Sequence, residues 1–112
     1  INDEDDTGNL FEKLSLVGRD LLMDTLPAIF AGENESIVQN EDEVTFSPMI
    51  SKEQEKIDWT LTAREVFNHI RALRPAPGAY TILEDQRFKI WAAEVVEDNT
   101  SAEPGTIIFF FS

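Results

Sequence analysis

The segment Lys56-Ile57-Asp58-Trp59-Thr60-Leu61-Thr62-Ala63-Arg64-Glu65-Val66-Phe67-Asn68-His69-Ile70-Arg71-Ala72-Leu73-Arg74-Pro75-Ala76-Pro77-Gly78-Ala79-Tyr80 separates a helical, acidic front from a strand-rich back. Thr62 is followed three residues later by Glu65, the pattern in which two side chains reciprocally satisfy amides left open at a helix start, so Thr62 is the expected N-cap. Val66, Phe67, Ile70 and Leu73 recur on one helix face, and Arg64, Asn68 and Arg71 fall on the other. Pro75-Ala76-Pro77-Gly78 then forbids continuation, because proline has no amide donor and restricts its predecessor. A strand is expected from Ala79.

Downstream, residues 79–83 and 87–96 read as strands joined through Glu84-Asp85-Gln86, a hairpin. Phe88, Ile90 and Ala92 alternate with Lys89, Trp91 and Ala93, which gives the second strand one packed and one partly exposed face. Residues 97–103 form a polar loop, and Pro104-Gly105 turns into Thr106-Ile107-Ile108-Phe109-Phe110-Phe111. An uncharged run of this kind is a hazard on an open edge, so it is expected to be a buried strand or to pair with another chain.

Upstream, Asp6 or Thr7 is placed to cap a helix whose stripe Leu10, Leu14, Val17 and Leu21 has core-facing spacing. Gly18 and Pro27 interrupt that run, which predicts two abutting helices or one kinked helix ending at Gly32. Residues 33–55 read as an extended linker, with Ile37, Val38, Val44, Phe46, Met49 and Ile50 as beads that lay it along a surface. Ser51-Lys52-Glu53-Gln54 has the composition of a capped turn just before Lys56.

The chain of 112 residues has two dissimilar halves, each short for a core of its own, and begins with Ile1, which suggests a fragment of something larger. The charge of −13 is uneven: residues 1–56 hold 14 acids and 4 bases (−10), residues 57–112 hold 8 and 5 (−3). The front therefore repels polyanions, and any nucleic-acid contact falls to local basic groups of the linker and back. With no cysteine there is neither a disulfide framework nor a thiolate metal site. No run approaches the roughly 20 apolar residues of a membrane span, and the acidic start is unlike a signal peptide, so a soluble, cytoplasmic protein is expected.

A complete active site is not visible. His69 stands alone, Asp3-Glu4-Asp5-Asp6 and Glu41-Asp42-Glu43 are charge runs without acid/base or calcium-loop spacing, and phosphate-binding glycine loops and serine elbows are missing. No catalytic, cofactor-binding or metal residue is assigned. The cations carry more information: Lys52, Lys56, Arg64, Arg71, Arg74, Arg87 and Lys89 are seven of the nine, interleaved with Trp59, Tyr80 and Trp91. Placed on one side of a small barrel, they would track a phosphate backbone. Trp59 and Trp91 are read as core rather than as base-stacking platforms.

The succession Thr7-Gly8-Asn9-Leu10-Phe11-Glu12-Lys13-Leu14, Gly18, Leu21-Leu22, Gln39-Asn40-Glu41, Phe46-Ser47-Pro48, Ser51-Lys52-Glu53, Ile57-Asp58-Trp59, Ile70-Arg71-Ala72, Pro77-Gly78-Ala79-Tyr80-Thr81, Phe88-Lys89-Ile90-Trp91 and Pro104-Gly105-Thr106 resembles the methionyl-tRNA formyltransferase family over nearly the whole chain. The resemblance implies an α+β fragment: helices closing a formyltransferase domain (1–37), an interdomain linker (38–56), and the first helix and antiparallel strands of an incomplete OB-like C-terminal domain (57–112). It implies transfer of a formyl group from 10-formyltetrahydrofolate, the co-substrate, to the amino group of methionyl initiator tRNA, with catalytic and folate-binding residues upstream. Asp6-Thr7-Gly8 imitates the family's catalytic Asp-Thr-Gly, but the residues after it match the following helix, so Asp6 receives no catalytic role. Ala76 stands where the family commonly has Trp, removing an aromatic at the start of the barrel. The expected tRNA contacts are Lys52, Arg71, Arg74, Arg87 and Lys89, with self-association of the fragment through Thr106–Phe111. A sugar-nucleotide formyltransferase fragment and a non-catalytic acidic interaction module are the alternatives.

Overall fold

The computed structural model describes residues 1–97 and 100–108. Its elements are α1 (Thr7–Ala31), a short 3-10 turn (Glu41–Glu43), α2 (Ala63–Ala72) and an antiparallel hairpin, β1 (Tyr80–Leu83) with β2 (Gln86–Lys89). This is the expected α+β content, with two strands paired among the described residues and no barrel closed by them.

The start of α2 follows its local sequence. Thr62 accepts from the Glu65 amide and Glu65 bonds back to the Thr62 amide at 2.9 Å, while His69 and Arg71 occupy the last turn, where the helix dipole favours cations. Val66 and Ile70 are buried, and with Ile57, Leu73 and Ala79 they form the core, against which Trp59, Ile90 and Ala93 pack. Phe67, expected on the buried face, is half-buried between two arginines.

After α2 the chain passes two cis prolyl bonds, Arg74–Pro75 and Ala76–Pro77, and the buried Gly78. Ala76 is exposed. In the hairpin Tyr80 faces Lys89, Thr81 faces Phe88, Ile82 faces Arg87 and Leu83 faces Gln86. Glu84 and Asp85 close it with φ of 49° and 61°, the two-residue geometry that matches strand twist. The second strand ends at Lys89, short of the expected residue 96, because its partner β1 begins at Tyr80; the Ile90 amide makes one further bond, to the Ala79 carbonyl. Lys56 runs parallel beside Tyr80 through Ile57 N–H to Tyr80 O (2.8 Å) and Tyr80 N–H to Glu55 O (3.0 Å), so the end of the linker is pinned to the hairpin.

The remainder partly meets and partly departs from expectation. Of the two forms expected for the front, a single helix is the one observed: α1 is capped by Asp6 in a capping box with Asn9 and closed at the left-handed Gly32, and Gly18 does not break it and Pro27 lies inside it. Proline costs one backbone bond there, while the preceding turns remain intact. The stripe on α1 has core-facing spacing but no core to meet among the described residues: Leu14, Val17 and Leu21 are exposed, Leu21 at 65 %. The linker is extended as expected, yet Ile37, Val38, Phe46 and Met49 are almost fully exposed and lie along no surface. The Ser51–Gln54 turn forms with reciprocal side-chain caps. Thr106–Ile108 is not a buried strand: Ile107 is exposed and the segment follows a turn closed by Thr106 N–H to Glu103 O. Phe109–Phe111 lie outside the described residues.

With one small core at the α2 end and a long bare helix, the radius of gyration is 20.2 Å, against about 13 Å for a compact domain of this length.

Candidate nucleic-acid interface

The five residues singled out from sequence fall into two groups with different surroundings. Arg87 and Lys89 lie two apart on β2, so they project from the same face of the hairpin as Tyr80 and Ile82. The Arg87 guanidinium sits 4.1 Å from the Tyr80 ring centre, and the Lys89 ammonium lies 5.4 Å from the Trp91 ring while donating to the Pro77 carbonyl. Stacking of this kind holds a long side chain extended while leaving its charge near solvent. Lys52 is exposed in the turn that leads into Lys56, and that turn is fastened to β1 by the Lys56–Tyr80 pairing. Lys52 therefore rides on the same small body as the hairpin.

Arg71 and Arg74 are instead turned onto the N-terminal segment. Arg71 donates to the carbonyls of Asn2 (2.6 Å) and Asp5 (2.9 Å) and to the Asn68 side chain (3.0 Å). Arg74 bonds the Asp6 carboxylate at 2.6 Å and the Trp91 carbonyl at 3.3 Å. Arg64, the remaining cation of α2, pairs with both Asp3 oxygens at 2.8 and 2.7 Å, and Arg64 and Arg71 flank Phe67 at 5.5 and 5.3 Å. Two uncharged bonds complete the junction: the Thr7 hydroxyl donates to the Ala72 carbonyl and the Gly8 amide to the Arg74 carbonyl. Gly8 has no room for a side chain, since a Cβ there would lie 2.8 Å from the Pro75 ring.

The acids of this junction are held in their charged form. The Arg64 bond draws the Asp3 carboxyl below its usual value, the Lys13 ammonium at 2.6 Å and the Asn2 amide do so for the buried Asp5, and the Asn9 amide followed by Arg74 does so for Asp6. Asp6 is thus a helix cap and an ion-pair partner. The long-range partnership of Asp3 and Asp6 with arginines more than sixty residues away went unread in the sequence; only the Asp6–Asn9 cap carries a local signal.

Trp59 packs on the core, as expected, and its indole N–H donates to the Thr81 hydroxyl at 2.9 Å. Trp91 is 48 % exposed and lies against Gly78 and Lys89, which corrects its assignment to the core. His69 approaches the Glu55 carbonyl at 3.5 Å, an ordinary helix-surface contact. No cluster of three or more His, Cys, Asp or Glu side chains suited to a metal occurs among the described residues, and no described helix is long and apolar enough to cross a membrane. An apolar groove of about 480 Å³ opens between α2 and the stretch that follows the hairpin, lined by Trp59, Leu61, Val66, Phe67, Ile70 and Ile90 among others.

This helix, hairpin and pinned linker coincide with a known domain: the model of the formyl transferase C-terminal domain matches residues 49–110. The chain belongs to that family. Its members set the context for the remaining residues too, because the similarity to individual relatives runs beyond the domain into α1. The chain is 55 % identical over 108 residues to a methionyl-tRNA formyltransferase of Listeria monocytogenes, covering 96 % of this chain and 35 % of the relative. It is 53 % identical to the protein of that name from Lactobacillus gasseri and 50 % identical to that from Streptococcus mutans, in each case over 96 % of this chain and 34 % of the relative. The chain thus spans about a third of the length of the curated relatives it matches.

Proposed function

We propose that this chain is the junction and tRNA-facing part of a methionyl-tRNA formyltransferase, an enzyme that passes a formyl group from 10-formyltetrahydrofolate to the amino group of methionyl initiator tRNA in the cytoplasm. The observation that carries this reading is the unbroken similarity to proteins of that name across α1, the linker, α2 and the hairpin. Residues 1–37 then close the formyltransferase domain, 38–56 link, and 57–112 begin an OB-like barrel whose further strands fill the groove beside Trp59 and Ile70. The exposed stripe of α1 fits the same reading, since a helix with apolar spacing and no local partner is one packed against a neighbouring domain. Formyl transfer and folate binding belong to that neighbouring domain and use no residue of this segment.

Within the segment, Lys52, Arg87 and Lys89 are the proposed primary phosphate contacts, held by the turn and by aromatic stacking. Arg71 and Arg74 use Nε and Nη1 in internal bonds and contribute to tRNA through their Nη2 donors. The test is steady-state kinetics on the complete enzyme carrying Arg87→Glu and Lys89→Glu. The expected result is a raised KM for methionyl-tRNA, with the KM for 10-formyltetrahydrofolate unchanged. An unchanged KM for tRNA refutes the assignment.

A further inference from the structure

The seven cations of the linker and back half were expected to act as one surface, but three of them, Arg64, Arg71 and Arg74, face the acidic N-terminal segment. We propose that Asp3 and Asp6 are built-in competitors for RNA phosphate: they occupy Arg64 and Arg74 in the unbound protein and surrender them when a polyanion docks beside the hairpin. The proposal rests on the tRNA-binding reading above and adds a regulatory layer to that surface.

The geometry supports exchange rather than permanent pairing. The Asp3–Arg64 pair is open to solvent on both sides, with side-chain exposures of 64 % and 54 %, and it anchors no helix. Exposed pairs of this kind are weak and screened by salt, and two oxygens of a tetrahedral phosphate accept a guanidinium's paired donors as the two oxygens of a carboxylate do. Arg74 is partly exposed as well, although its partner Asp6 is largely covered. Docking of the N-terminal segment does not depend on either carboxylate alone. Arg71 grips the Asn2 and Asp5 carbonyls, Thr7 bonds Ala72, and the Gly8 amide bonds Arg74 O. Releasing Arg64 and Arg74 from their acids therefore leaves α1 seated.

The consequence is measurable as affinity. The arginines meet phosphate in the complex whether or not the carboxylates are present, so the number of phosphates neutralised, and with it the slope of log K against log salt, stays the same; what the carboxylates impose is the breaking of two ion pairs before binding. The variant Asp3→Asn with Asp6→Asn removes both competitors, and asparagine caps a helix as well as aspartate does, so the start of α1 is preserved. Binding of initiator methionyl-tRNA to the complete protein, titrated over a series of salt concentrations, is expected to tighten several-fold at low salt with the parental slope. The matched control is Glu41→Gln with Asp42→Asn, which changes net charge equally on an exposed turn with no cation bonded to either side chain among the described contacts. Its affinity is expected to stay near the parental value. Should the double asparagine variant unfold, Asp3→Asn alone releases only Arg64 and carries the smaller, single-pair part of the gain. If Asp3→Asn/Asp6→Asn and the control behave alike, the competitor role is overturned. Arg87→Glu/Lys89→Glu separates the two readings: loss of binding there with no effect of the asparagines overturns the competition alone, whereas no effect of either overturns the tRNA surface as well.

Discussion

Gly78 joins the end of α2 to the hairpin, and its replacement by alanine tests how that joint is built. Its φ is +88°, a region that costs an L-residue about 1–2 kcal/mol. A Cβ there would also lie 2.8 Å from Cη2 and Cζ3 of Trp91 and 3.4 Å from Lys89 Cδ. Because Trp91 is half-exposed, the ring swings outward instead of compressing the core, and the Lys89–Trp91 contact, worth about 0.5–1 kcal/mol at an exposed site, is lost. The two effects sum to about 1.5–3 kcal/mol. At roughly 4 °C per kcal/mol for a domain of this size, the melting temperature of Gly78→Ala falls by about 6–12 °C. Circular dichroism reads the melt, and tryptophan fluorescence reads the ring through a red shift. In a Trp91→Ala background the steric part vanishes and only the backbone part of about 1–2 kcal/mol remains. Equal losses in the two backgrounds, or a loss under about 3 °C, would refute this account of the joint.

Three other outcomes follow from the same structure. Ile70→Ala, in the core of five buried residues, is expected to cost about 2–5 kcal/mol in chemical denaturation, whereas Leu21→Ala on the bare face of α1 stays within about 0.5 kcal/mol in the 112-residue chain. Glu84→Asn with Asp85→Gly supplies the residues preferred at two successive positive φ values and is expected to raise stability by about 0.5–1 kcal/mol, measured by the denaturation midpoint. The Arg64, Lys13 and Asn9 contacts hold the carboxyls of Asp3, Asp5 and Asp6 below the usual aspartate range, so their contribution is complete above the unfolded-state pKa and is lost as the pH falls through the lower folded values. The denaturation midpoint is expected to be constant from about pH 5 to 8 and to fall below about pH 4, while the Gly8 amide, which bonds Arg74 O without a carboxylate, keeps its protection from hydrogen exchange as long as the chain stays folded; a midpoint unchanged in acid would count against these ionic contacts.

Local order along this chain was legible from the residues alone. Thr62 and Glu65, Asp6 and Asn9, and Ser51 and Gln54 each form the reciprocal cap that their three-residue spacing specifies, since both partners sit within one turn of each other whatever the rest of the chain does. Gly32 at the end of α1, the break after Leu73, the core pattern Val66-Ile70-Leu73 and the Glu84-Asp85 turn are of the same kind. Periodicity also marked a sticky face on α1, but spacing records only that a face is apolar, not what covers it, and here nothing among the described residues does. The cations divide along the same line. Sequence identified seven positive charges near three large aromatics, yet opposite charges attract wherever the fold brings them within reach. Only the tertiary structure, by laying the Asp3–Asp6 run alongside α2 from its first turn to just past its end, assigned Arg64, Arg71 and Arg74 to an internal junction and left Lys52, Arg87 and Lys89 on the hairpin side.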